Sequence, residues 1–229
     1  MGGNYDKWAG RDSIFKDKLS NVRTGQPGER QAKSATQSAA AARYLEQATQ
    51  TTTSSMKALN LEDLERRVLK DELTGLNNSR VLMRTLSYEL KRGMRYKRPL
   101  ALAILAIDGL ANIRANYGND AANQILKTVS ESVTGGIRDV DISARFSDNE
   151  LAVIFPETNV AGLTTVAERI RQRIRSCTVT YLMQVFHLSA SIGAACFPTH
   201  AKTADELVAM ASQALTQAAH RGGDRLCVP

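Results

Sequence analysis

From residue 56 onward the apolar positions follow two rhythms, and their alternation predicts helices packed on a sheet. Short apolar or alternating runs mark strands at Leu100 to Ile107, Ile142 to Phe146, Leu151 to Phe155, Val179 to Met183 and Phe186 to Phe197, with a terminal edge strand from Arg225 to Val228. Apolar positions three and four apart mark helices. These carry Val81, Leu82, Leu86 and Leu90; then Ala121, Ala122, Ile125, Leu126, Val129 and Val133. Two more carry Leu163, Val166, Ala167, Ile170 and Ile174, and then Leu207, Val208, Ala211, Ala214, Leu215 and Ala218. The strands at 142–146 and 151–155 read as a hairpin about Ser147-Asp148-Asn149-Glu150, and 179–183 with 186–197 as a second pair of strands. Asn77 and Asn78 are placed to cap the first helix. Lys91 to Pro99 reads as a basic turn, and Gly222-Gly223 stops the last helix. Helices between strands and hairpins predict an α+β fold, a mixed sheet flanked by helices.

Ahead of this region the rhythm fades. Residues 1–55 read as a flexible basic extension, with helix formers at 36–48 and a Thr- and Ser-rich linker at 49–55. Leu61, Leu64 and Val68 lie on one face of a stalk helix over 56–70. Two heptads are too few to decide between a capping helix and a dimerising seam. The expected organisation is therefore 1–55, the stalk 56–70 and a folded domain over 68–229.

Composition narrows the classes. Lys and Arg number 30 against 23 acidic residues, a net charge of +7. Residues 1–60 hold nine basic and five acidic groups, +4, which leaves +3 for the rest. The excess is diffuse. It suits an anionic ligand, but no uninterrupted basic block points to nucleic acid, which is not expected as a partner. Cys177, Cys196 and Cys227 are an odd count without ligand spacing, which predicts reduced thiols and no zinc ligand set; no metal or cofactor is expected. The longest apolar run is about eight residues, too short to span a membrane, and the expectation is a cytoplasmic protein without membrane contact.

The motifs come next. Asp71-Glu72-Leu73-Thr74-Gly75-Leu76-Asn77, Ala115-Asn116-Tyr117-Gly118-Asn119, Ser191-Ile192-Gly193 and the stretch from Ala214-Leu215 through Gly222 to Arg225 occur in this order. They resemble the "D-x-L-T-G-L-x-N", "D-x-x-G-H", "S-I-G" and "A-L-Y-x-A-K-x-x-G-x-N-R" motifs of the diguanylate cyclase (GGDEF) domain family, over about residues 68–228. The resemblance implies a cyclase-palm fold, and a family activity that joins two GTP molecules into cyclic di-GMP. It also implies that the signature loop falls on Ser147, Asp148, Asn149, Glu150 and Leu151. One metal carboxylate falls on Asn149 and the other on Ala106, two residues before Asp108. The guanine-reading asparagine falls on Arg114, its acidic neighbour on Asn123, the triphosphate lysine on Ala219 and an arginine on Gly223. The chain is identified as a degenerate member.

The chemistry of those residue types points the same way. Attack of a 3′-hydroxyl on an α-phosphate needs divalent metal held by anionic oxygens. Alanine offers no oxygen and asparagine only a neutral one, so no catalytic residue is assigned and no enzyme activity is expected. Asp108 and Glu150 read as hydrogen-bonding residues at the strand ends, with the holding of a single ion as the other reading. Arg138-Asp139-Val140-Asp141 resembles the Arg-x-x-Asp product-inhibition site of active members, with five residues between Asp141 and Ser147. The resemblance adds Arg169 on the following helix and Arg92 in the basic segment. An arginine fork suits guanine N7/O6 or phosphate, and an aspartate accepts from guanine N1 and N2. Salt bridges balancing nearby arginines are the other reading, and the Arg169, Arg171, Arg173, Arg175 series reads as a solvated helix face. The functional expectation is an inactive regulatory domain that takes cyclic di-GMP at Arg138, Asp141, Arg169 and Arg92 and signals to a protein partner. A nucleotide-independent interaction or homodimerisation module, and a weak residual cyclase, are the alternatives.

Overall fold

The computed structural model describes residues 69–229. The extension 1–55 and nearly all of the stalk 56–70 lie outside the described residues.

Strand β1 (Leu100–Ile107) is buried along almost its whole length, because both faces of the sheet are covered. Ala101, Ala103, Leu105 and Ile107 enter one apolar cluster, Leu100, Leu102 and Ile104 the other. An eight-residue apolar run is thus two interleaved faces. β1 pairs antiparallel with β3 (Glu150–Pro156) on one side and with β6 (Ala190–Phe197) on the other. β2 (Ile142–Arg145) and β7 (Leu226–Cys227) complete the order β2-β3-β1-β6-β7, with β7 parallel to β6.

Helices α1 (Ser79–Tyr96) and α4 (Ala204–His220) cover one face, α2 (Leu110–Thr134) and α3 (Val160–Arg175) the other. The Asn78 side chain accepts from the Val81 amide and caps α1, as expected. Thr203 and Glu206 form a capping box on α4. Gly193 lets α4 lie directly on β6, since a Cβ there would stand 2.0 Å from the Leu215 nitrogen.

Three expectations need correction. The segment from Lys91 is not a turn: α1 continues to Tyr96 and ends where Lys97 turns left-handed (φ 53) and donates to Gly93 O. Lys, Arg and Met are good helix formers, Gly93 is tolerated because it is buried on the sheet side, and the helix stops at Lys97 ahead of Pro99. The run 186–197 is not one strand. β5 (Gln184–His187) pairs with β4 (Thr178–Tyr181) in a separate two-stranded sheet, and β6 begins afresh at Ala190. The break comes where Ser189 leaves the hairpin and its carbonyl accepts from Asp108 N. Finally, the arginines of α3 are more than a solvated face: Arg169, Arg173 and Arg175 are exposed, yet each of the four makes a contact. Arg171 meets Glu168 and Asp224, Arg175 meets Asp224, Arg169 donates to Gly136 O and Arg173 to Ser132 O. Alternate positions on a helix point in different directions, so a run of arginines at every second residue reaches several neighbours.

Candidate functional site

Two places gather the residues singled out by sequence. The first is the turn between β2 and β3. Phe146 and Ser147 both donate from their backbone to Glu150 O, closing it. Glu150 opens β3 opposite Ala106 of β1, and Ala106 faces Ser191 on its other side. Ser147 and Asp148 are exposed, Asn149 and Glu150 half-buried, and Leu151 is fully buried in the core. The Glu150 carboxylate accepts from Ser147 Oγ at 2.9 Å, while Asn149 Oδ1 is buried with no hydrogen-bond partner.

Arg145 clamps this turn. Its guanidinium donates to Ser147 O and Asp148 O, at 3.3 and 3.0 Å, and to Asp71 Oδ2 at 3.0 Å. Asp71 also accepts from the Thr74 amide and hydroxyl, at 2.9 and 2.7 Å. Partial burial pushes the Asp71 carboxyl upward, but the Thr74 bonds and Arg145 outweigh it and hold the group below the ordinary aspartate range.

Asp108 stands beside this turn at the end of β1. Ser189 Oγ and Ser191 Oγ donate to its two oxygens at 2.8 and 2.7 Å, and the Asp224 amide adds a third bond at 2.9 Å. Gly223 packs so closely that a Cβ there would lie 3.0 Å from the carboxylate. Asp108 thus accepts three hydrogen bonds, two on Oδ2 and one on Oδ1. Arg114 lies in the first turns of α2 and Asn123 beyond its kink at Gly118 (φ 85, ψ 176), while Ala219 is exposed near the end of α4. Among the described residues no three His, Cys, Asp or Glu side chains gather as a metal-ligand set. Around the turn the carboxylates are those of Glu150 and Asp108, while Ala106 offers no side-chain oxygen and Asn149 a neutral one.

The second place is a surface cavity of about 400 Å³ lined by Glu89, Arg92, Arg138, Val140, Pro156 and Glu157. It brings Arg92, from α1, and Arg138, from the loop before β2, to one rim. Asp141 does not pair with a guanidinium as a salt bridge would require. It is buried, its Oδ2 accepts from the Arg138 amide at 2.8 Å, and its Oδ1 has no partner. Arg169 reaches the same loop through Gly136 O at 2.8 Å but is not part of the cavity lining. Glu89 and Glu157 escaped the reading of the sequence. Arg92 donates to both, at 3.1 and 2.9 Å, and Arg98 also pairs with Glu157. Hydrogen bonds from Arg98 and Arg92 hold the Glu157 carboxyl below its ordinary value. Only the β1–β3 register places position 157 beside α1, and no local sequence signal could have shown it.

Comparison with known proteins follows this geometry. A family model described as "Diguanylate cyclase, GGDEF domain" matches residues 68–225. Diguanylate cyclase DgcP of Pseudomonas aeruginosa is 31% identical over 167 residues, 73% of this chain and 25% of that protein. Response regulator PleD of Caulobacter vibrioides is 27% identical over 165 residues, 71% of this chain and 36% of that protein. The chain thus spans about a quarter to a third of the length of these curated relatives. Among solved structures, diguanylate cyclase SiaD in complex with its activator SiaC, from Pseudomonas aeruginosa, superposes with a TM-score of 0.68 at 23% identity. That match covers 95% of this chain and 82% of SiaD. The GGDEF domain of DgcB from Caulobacter crescentus, in complex with c-di-GMP, gives 0.67 at 21% identity, over 70% of this chain and 92% of that one.

Proposed function

The chain belongs to the diguanylate cyclase GGDEF domain family, and from that premise we propose that it is a catalytically inactive regulatory member that receives cyclic di-GMP at the Arg92–Arg138 cavity. The observation that carries this reading is the shared rim. Two arginines 46 positions apart (138 − 92) line one opening of about 400 Å³, a size that suits a small-molecule ligand. Their forks would take guanine edges or phosphate oxygens, and Arg169 would add a third cation from the neighbouring loop contact. Asp141, itself buried, fixes the backbone of Arg138 through the Arg138 amide.

Inactivity rests on the signature turn. Ala106 and Asn149 stand where family members place carboxylates, Asp108 is engaged by Ser189, Ser191 and the Asp224 amide, and Arg145 holds the turn's carbonyls. Without anionic ligands at those positions, metal-assisted attack on GTP has no support. GTP turnover above blank in Mg²⁺ or Mn²⁺ would restore the weak-cyclase reading.

One observation favours a nucleotide-independent interaction module. Arg92 is already engaged by Glu89 and Glu157, so a ligand must displace those contacts. Calorimetric titration with cyclic di-GMP decides between them, using the wild type, Arg138→Ala and a GTP control. Micromolar binding lost in the variant supports the receptor; flat heats from folded protein leave the interaction module.

A further inference from the structure

We infer that the outer face of α1 is a docking surface for an acidic helical segment of a partner protein. Arg80, Arg84, Tyr88, Lys91 and Arg95 are all exposed. At 3.6 residues per turn they fall within an arc of about 80°, directly opposite the buried face of Leu82, Leu86, Leu90 and Gly93. The stripe is about 22 Å long and contains no acidic residue.

Among the described residues the four cations have no carboxylate partner. Arg92, Arg98, Arg145, Arg171 and Arg175 each meet a carboxylate, whereas Arg80, Arg84, Lys91 and Arg95 meet none among the described residues. Arg80 with Arg84 and Lys91 with Arg95 are like-charge pairs one turn apart, which destabilise a helix that a glutamate at either position would support. The first turn of α1 also lacks the acidic residues that would favour its N-terminus. The helix keeps this face at a cost to its own stability.

The composition identifies the class of partner. Tyr88 lies within the stripe and is 65% exposed, while Met94 and Tyr96, 48% and 58% exposed, flank it outside the arc. Arg95 stacks over the Tyr96 ring at 5.5 Å. Arginine, tyrosine and methionine are the residues enriched at protein interfaces. The surface is a convex helix with no groove and no Asn or Gln along the stripe, which suits neither single-stranded nucleic acid nor the reading of base edges. The cations recur at intervals of four, seven and four residues, the register of Glu or Asp along a facing helix.

The test uses the full chain and a labelled helical peptide of about 18 residues, with glutamates at i, i+4, i+11 and i+15 and a leucine opposite Tyr88. Fluorescence anisotropy at about 0.15 M salt should give micromolar binding. Affinity should fall at least about tenfold in R84E/R95E, and about fivefold in Tyr88→Ala. The R84E/R95E protein should instead bind the peptide with lysines in place of glutamates. Calorimetric titration of R84E/R95E with cyclic di-GMP should match the wild type, so this face and the Arg92–Arg138 cavity succeed or fail separately. Absence of binding overturns the proposal. So does an affinity indifferent to Tyr88→Ala, which marks diffuse charge attraction. Tighter binding to a DNA duplex or to phosphatidylglycerol vesicles than to the peptide also overturns it, and assigns the face to that polyanion.

Discussion

Asp71 and Arg145, 74 positions apart, meet at 3.0 Å and join the opening motif of the domain to its signature turn. Both side chains are less than one-fifth exposed. Arg145→Ala removes this pair and two carbonyl contacts at once. The expected cost is about 1–2 kcal/mol in urea unfolding, allowing for solvent on the open side of the pair. The pair also sets a pH dependence. The folded carboxyl of Asp71 lies below its unfolded value near about 3.9, so its contribution is complete above that pH and is lost as pH falls through the folded value. Asp71→Asn should flatten the acid limb of the stability curve below about pH 4; an unchanged limb would show that other carboxylates govern it.

Arg138 and Asp141 lie three residues apart but differ in what holds them. Arg138 is exposed, and Arg138→Ala should leave the melting temperature within about 1 °C of wild type. Asp141 is buried and holds the turn through the Arg138 amide, so Asp141→Ala should cost about 1–2 kcal/mol, several degrees for a domain of this size. Thermal melts of the two variants separate ligand chemistry from loop architecture before any nucleotide is added.

Glu157 competes with a ligand for Arg92 in the proposed receptor. Glu157→Gln weakens the grip on Arg92 and Arg98 and removes a negative charge from the cavity rim. Affinity for cyclic di-GMP should rise about two- to fivefold by calorimetry. A fall would mean that the glutamate organises the arginine rather than competing for it.

The β4–β5 hairpin turns through Leu182 and Met183, both left-handed (φ 45 and 65) and 81% and 99% exposed. Two-residue turns of this kind favour Asn-Gly, because side-chain bulk is costly where φ is positive. Replacing Leu182-Met183 by Asn-Gly should stabilise the domain by about 1–2 kcal/mol in denaturant titration. No gain would indicate that this two-stranded sheet is not part of the cooperative unit.

Gly193→Ala should do the opposite. Its methyl would enter the backbone of α4, 2.2 Å from Ala211 O, with no flexible group to yield. The expected loss exceeds about 3 kcal/mol, read as failure to recover folded protein by circular dichroism.

Much of this architecture was legible in the sequence, for physical reasons. β1 and the four helices announced themselves because their apolar period matches the face each buries. The cap at Asn78 and the stop at Gly222-Gly223 are local chemistry, readable within a few residues. What escaped was decided by contacts between distant parts of the chain. Ser189 separates β5 from β6 because Asp108 engages its carbonyl and hydroxyl. The arginines of α3 are ordered because Asp224 comes to lie beside them. At the candidate site, Arg92 and Arg138 could be named from motif position and Glu89 stands three residues before Arg92 on one helix, but Glu157 required the fold.

The carboxylate of Asp108 has a consequence for the order in which the molecule closes. β7 has only two residues and could not hold its place by ladder bonds alone. Its anchors are displayed by the end of β1, by β6 and by Arg171 and Arg175 of α3, all earlier in the chain, so residues 224–227 dock onto elements synthesised before them. The last strand is therefore a clasp rather than a beam. It can release and rebind while the other four strands stay zipped, and a slow proton-exchange experiment would see it open first.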